Sequence, residues 1–240
     1  MTHISDNLHI GQAPTGIAPQ IAGGRGFGPV GRTYVYDIVP LALNASAIAA
    51  SQSPGSAALT LSAGTGVTAV VVNGQTRYTF DVPRTVTITS GGVDTGINFL
   101  VRGFDTYGNA MSEAITGASS TIATGKKAFM SVISITPSGA VASTVTAGTS
   151  DVFGLPVALV DAGYIASVKW NETLTTDAGT FVAADNTSPA TTTTGDVRGT
   201  YKPSANASNG VRRLVILVAL SSLNIGTAQT VVGVLGQPQV

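Results

Sequence analysis

Two glutamates, Glu113 and Glu172, and ten aspartates are the side-chain carboxylates available for acid–base chemistry. A glutamate and an aspartate on either side of a sugar bond make a glycosidase, one giving a proton while the other attacks or activates water. Sugar grooves offer aromatic platforms, and a chain with one tryptophan and 6% aromatic residues is poorly furnished for that work. Carboxylates on strand faces, held in hydrogen bonds or ion pairs, are the plainer expectation. His3 and His9 are the only histidines, both in an N-terminal stretch without the supporting shell that fixes a triad or a metal site. Gly26, Gly28 and Gly31 satisfy GxGxxG by letter, but no strand precedes them, no helix follows, and Pro29 removes an amide a phosphate would need. Asp185 and Asp196 flank the polar run DNTSPATTTT, without the closely spaced carboxylates of a calcium loop.

The absence of cysteine removes thiol catalysis, disulfides and Cys-based zinc sites. No cofactor or metal is expected. Asn44, Asn171, Asn186 and Asn206 begin N-x-Ser/Thr sequons, which a chain this rich in Ser and Thr produces by chance. The basic pairs Lys126-Lys127 and Arg212-Arg213 each precede an apolar run, where charges keep a strand end in water and discourage edge pairing.

The elements that must position these residues are strands. Ile97, Phe99 and Val101 alternate with Asn98 and Arg102, and Asp105 to Asn109 reverses the chain. Met111, Glu113 and Ile115 share the next face, and Ala128 to Ile135 is apolar almost throughout, as in a strand covered on both sides. Asn73-Gly74 is a strong hairpin signal before Tyr78, Phe80 and Val82. Pro83 reads as a break before Val86 and Ile88, Leu41 to Gln52 as one short helix, Leu214 to Leu220 as the most buried strand, and Thr230 to Leu235 as a last strand. Turn signals every 8 to 12 residues or so define an all-β protein, a β-sandwich or jelly-roll core.

Residues 1–32 are rich in Gly and Pro yet carry Ile4, Leu8, Ile10, Ile17, Ile21, Phe27 and Val30. They read as an extended N-terminal arm whose apolar anchors contact a partner, or wrap their own domain. Residues 33–240 form the β domain, either one unit or two packed sub-sandwiches dividing near residue 148. Twelve basic and twelve acidic side chains leave no excess for nucleic acid, and no partner of that class is expected. No membrane partner is expected either, since Leu214–Leu220 falls far short of the roughly 20 residues a spanning helix needs. The first sixteen residues have neither a basic start nor an apolar run, so no signal peptide is expected. Charged residues are only 10% of the chain, which suggests a surface completed by assembly.

GRTYVYDIVPLAL from Gly31, RGFDTYGNAMSEAITG from Arg102, GKKAFMSVISI from Gly125, SDVFGLP from Ser150 and GTFVAADNTSPATTTTGDVRGTY from Gly179 touch most of residues 31 to 201. In these stretches the chain resembles the capsid decoration, or cement, proteins of tailed double-stranded DNA bacteriophages. The resemblance implies a non-enzymatic structural protein, made in the host bacterial cytoplasm and placed on the outer capsid surface of the virion. Its implied partners are the major capsid protein and further copies of itself, as a homotrimer or dimer. It transfers no functional residue. The alternatives are a tail or head-fibre component mediating host attachment, and a glycan hydrolase using Glu113 or Glu172.

Overall fold

A computed structural model describes residues 32–171, 173–174, 178–185, 187 and 190–220. The described residues form β1 (Arg32–Ile38), β2 (Ala49–Gln52), β3 (Val67–Val72), β4 (Gln75–Ser90), β5 (Asn98–Phe104), β6 (Ala110–Thr116) and β7 (Ile122–Pro137). They continue as β8 (Val145–Gly154), β9 (Ile165–Trp170), β10 (Thr173–Leu174), β11 (Thr180–Val182), β12 (Thr200–Lys202) and β13 (Leu214–Leu220). Apart from a 3-10 turn at Ala162–Tyr164, no helix occurs among the described residues. The arm residues Ile4, Leu8, Ile10, Ile17, Ile21, Phe27 and Val30, both histidines, the GxGxxG glycines, Glu172 and the strand expected at Thr230–Leu235 lie outside them.

Local chemistry sets the reversals. Asn73 and Gly74 take φ of 51° and 78°, the left-handed pair a two-residue hairpin needs, and β3 pairs with β4 from Val67↔Phe80 to Val72↔Gln75. Between β5 and β6, the Asp105 carboxylate accepts the amides of Tyr107 (2.8 Å) and Asn109 (2.9 Å), which holds the turn.

The strands build an all-β sandwich. One sheet runs β11-β12-β8-β4-β7-β5-β6, with β2 added to β8 and β3 to β4; the other runs β1-β13-β9-β10. One face of the large sheet and the segment around Ile48 and Leu59 enclose a first core of Val86, Ile88, Phe99, Val101, Phe129 and Ile135. A second core lies between the sheets, where Phe153 and Tyr201 of the large sheet meet Trp170, Leu214, Ile216 and Val218 of the small one. Each such large side chain, fully buried, contributes roughly 1.5–3 kcal/mol.

Three expectations need correction. Leu41–Gln52 is not helical: residues 41–48 form an irregular turn, and Ala49–Gln52 is strand β2 on β8. The helical preference of alanine loses to pairing with β8, where the Ile48 amide bonds to the Ala147 carbonyl at 2.9 Å. Pro83 does not break β4, which passes through it as one strand of 16 residues. The register with β7 slips there, leaving Phe80–Pro83 against Met130 alone, so no ladder amide is required of the proline. Leu214–Leu220 is buried on one face only: Leu214, Ile216 and Val218 are inside, while Val215 and Leu217 are half-buried on the outer face.

Candidate functional site

The β4–β7 ladder slips a second time, in the opposite sense. Between the pairs Thr85↔Ala128 and Thr87↔Thr124, residues Gly125–Lys127 of β7 stand against Val86 alone. A bulge frees amides from the ladder, and inside a protein they need other acceptors. Two buried carboxylates take them. Glu113, on the inward face of β6 with Met111 and Ile115, accepts the amides of Lys126 (2.5 Å) and Lys127 (3.2 Å). Asp196 accepts the amide of Ala128 (2.9 Å) and that of Arg198 (2.8 Å). A Cβ on Gly125 would lie 2.6 Å from Oε2 of Glu113, so glycine is what lets the carboxyl reach the strand.

The segment carrying Asp196 is tied to the same place. The Thr192 carbonyl accepts the Ala114 amide of β6 at 2.8 Å, extending the sheet edge by one contact, and the Asp185 amide bonds to the Asp196 carbonyl at 2.8 Å. Arg198 pairs with Asp105 at 3.0 Å, both fully inside, and its guanidinium lies 5.3 Å from the centre of the Tyr107 ring. The Tyr107 hydroxyl donates to the Pro156 carbonyl at 2.5 Å.

Lys127 completes the cluster. It is 0% exposed, and its Nζ has no hydrogen-bond acceptor. Burial depresses the affinity of its amine for a proton, while the charges of Glu113, Asp196 and Asp185 act in the opposite direction. Burial pushes the Glu113 carboxyl from 4.5 up to about 7, against the Lys126 and Lys127 amides and the Lys127 charge, with Asp196 adding to the rise. Hydrogen bonds from Thr187 and the Gly195 amide hold Asp185 below the usual carboxylate range. A cleft of about 380 Å³ opens beside the cluster, lined by Lys126, Asp196, Thr200 and Lys202 among others.

The first slip holds a second buried cation. Arg84 bonds to the Asp81 carboxylate at 2.7 Å and to the Leu41 carbonyl through both terminal nitrogens, at 3.2 and 3.1 Å. Asp81 also accepts the Leu41 amide at 2.7 Å, so this pair pins the 41–48 segment to the sheet. Burial raises the pKa of the neighbouring Tyr36 hydroxyl, which has no hydrogen-bond partner.

Of the residues singled out from sequence, the fold brings Glu113, Lys127, Asp196 and Asp185 together. Glu113 is a hydrogen-bonded carboxylate, as expected, but Lys127 is a correction: it lies inside the sheet, whereas Lys126 reaches the Thr193 carbonyl at 3.3 Å on the surface. Arg213 forms a half-exposed pair with Asp37 at 2.6 Å. Among the described residues, no three His, Asp or Glu side chains converge as metal ligands, and no helix is long and apolar enough to cross a membrane. Nothing local in the sequence distinguishes the buried Arg84 and Arg198 from solvated arginines. No family model, no curated protein and no solved structure matches the chain. The arrangement can do two things chemically: hold a strand bulge rigidly, and bring an amine and carboxyl groups together away from water.

Proposed function

We propose that the chain is a structural virion protein, a capsid decoration or cement protein that binds the outer surface of a phage head and bridges capsomers. Its partners in this reading are the major capsid protein and further copies of itself, as a homotrimer or dimer. The observation that carries the proposal is an apolar strand that no other described strand covers, in a chain with few charges. Among the described residues β3, VTAVVV, pairs with β4 alone, and Val71 is 69% exposed. No charge or proline guards that edge, although proteins that remain alone in solution commonly place one there. Val35 of β1, at one end of the smaller sheet, is 64% exposed. Covering such side chains contributes up to about 1.5–3 kcal/mol each, and a specific interface buries on the order of 1,000 Å² or more. Many such contacts across capsomer boundaries oppose the outward pressure of packaged DNA without any chemistry.

The test is co-sedimentation of purified chain with expanded, empty phage heads. Saturable binding is expected, weakened by deletion of residues 1–32, and a chain left wholly in the supernatant at every ratio contradicts the proposal. The arm drops out of the mechanism if the shortened chain binds equally well.

A further inference from the structure

Each buried polar group in a folded protein calls for an explanation, and the Lys127 amine has none in hydrogen bonding. The carboxyls nearest to it in charge, Glu113 and Asp196, are committed to the backbone amides of residues 126–128. An unpaired ammonium held out of water is strongly unfavourable. We propose that Lys127 and Glu113 are joined by an intramolecular amide bond, Nζ to Cδ, formed in the folded chain with Asp196 as the proton carrier.

The placement of the three groups supports this. Glu113 is bonded at the backbone nitrogen of Lys127 itself and at the one before it, and Asp196 at the one after. The electrophile and the base therefore flank the root of the lysine's own four-carbon arm; no ion pair joins Nζ to Glu113 in the structure, and the reaction requires the side-chain torsions to turn Nζ toward Cδ. Amide formation requires a neutral amine and a neutral acid. Burial favours both, holding a proton on Glu113 up to about pH 7 and weakening the hold of Lys127 on its own.

In the reaction, the Nζ lone pair attacks Cδ and the carbonyl π pair moves onto oxygen. The Lys126 amide donates to one carboxyl oxygen and the Lys127 amide to the other, so the developing charge on the first meets one preorganised dipole while the second faces the departing hydroxyl. Asp196 takes one proton from Nζ. The Cδ–OH bond then breaks, and the departing hydroxide receives that proton and leaves as water. Amine and acid become amide and one water, and no oxidant or activating group is consumed. In the product, the remaining N–H donates to Asp196 and the carbonyl keeps one of the two backbone donors, so the buried amine is no longer orphaned. The bond ties β6 to β7 across 14 residues and restrains the unfolded chain as a disulfide would.

The proposal stands or falls independently of the capsid reading. Its test is the intact mass of the full chain, followed by tryptic mapping. The expected result is a mass one water below that of the sequence, and a branched product joining residues 103–126 to residues 127–169, since trypsin does not cut after an acylated lysine. Lys127→Met is expected to restore the full sequence mass. A wild-type chain of full mass that is cleaved after Lys127 overturns the proposal. So does a lost water that persists in Lys127→Met, which would place the dehydration elsewhere, for example at an aspartate.

Discussion

Two buried cations face the same ladder at its two slips, and they are held in opposite ways. At the first slip β4 has the extra residues, and Arg84 finds a carboxylate at 2.7 Å and a carbonyl at 3.1 Å. At the second β7 has them, and the carboxylates serve the freed amides, leaving the Lys127 amine without an acceptor. A planar guanidinium can reach several acceptors at once, whereas a lysine offers one compact charge at the end of a flexible arm. Burial of a charge is thus a question of which acceptors remain once the backbone is satisfied. At the first slip both terminal nitrogens of the guanidinium have acceptors, and only its Nε and the neighbouring Tyr36 hydroxyl are left over. The second has one group too many until two of its members combine.

Substitutions sharpen the contrast. Arg84→Leu is expected to cost the most, about 3–5 kcal/mol by urea denaturation, because it strands Asp81 and frees the 41–48 segment. Lys127→Met leaves Glu113 its two backbone amides and loses the covalent tie instead. About 3 kcal/mol is expected, the usual value for closing a loop near 15 residues. Equal costs with full sequence mass in both chains would erase the distinction between the slips.

The pH dependence separates the two states of Glu113. In Lys127→Met no bond forms and the favourable lysine charge is gone, so the carboxyl titrates at or above about 7, against 4.5 as its ordinary value. Between those values the folded chain binds more protons than the unfolded one. Its stability is therefore fully present at the acid end and falls as pH rises through 7, by roughly 3 kcal/mol in all. The wild-type chain, with Glu113 tied up as an amide, is expected to show no such slope. Gly125→Ala, which drives a methyl group into the Glu113 carboxyl, is expected to cost about 1–3 kcal/mol and to leave the amide bond unformed. The smallest effect belongs to Asp37→Ala, which breaks the half-exposed pair with Arg213 and is expected to change stability by less than about 1 kcal/mol.

What the sequence made legible was local. The Asn73-Gly74 reversal, the Asp105 turn and the alternation through Phe99–Val101 and Met111–Ile115 follow from side chains acting on neighbouring backbone, and they stand in the structure. Pro83 and Leu41–Gln52 depart from their local signals because a slip in register and a contact with β8 decide them, and both depend on residues far along the chain. Lys127 departs from its local signal for the same reason: the pair Lys126-Lys127 looks like a solvated strand end until the bulge turns one side chain out and the other in. Glu113 and Asp196 could be named from sequence as carboxylates, but not as neighbours, being brought together only when the 190–198 segment docks on β6. The valine-rich strands teach a matching lesson. β13 buries one face and β3 almost none, though Leu214–Leu220 and residues 69–72 are both unbroken apolar runs.

The reading of β3 as an interface is what the functional proposal depends on most, and hydrogen exchange measures it directly. In the free chain the β3 amides that face away from β4 are expected to exchange quickly. On saturation with expanded heads, Val67–Val72 is expected to become protected at least about tenfold. Saturating binding that leaves exchange through β3 unchanged would contradict the account.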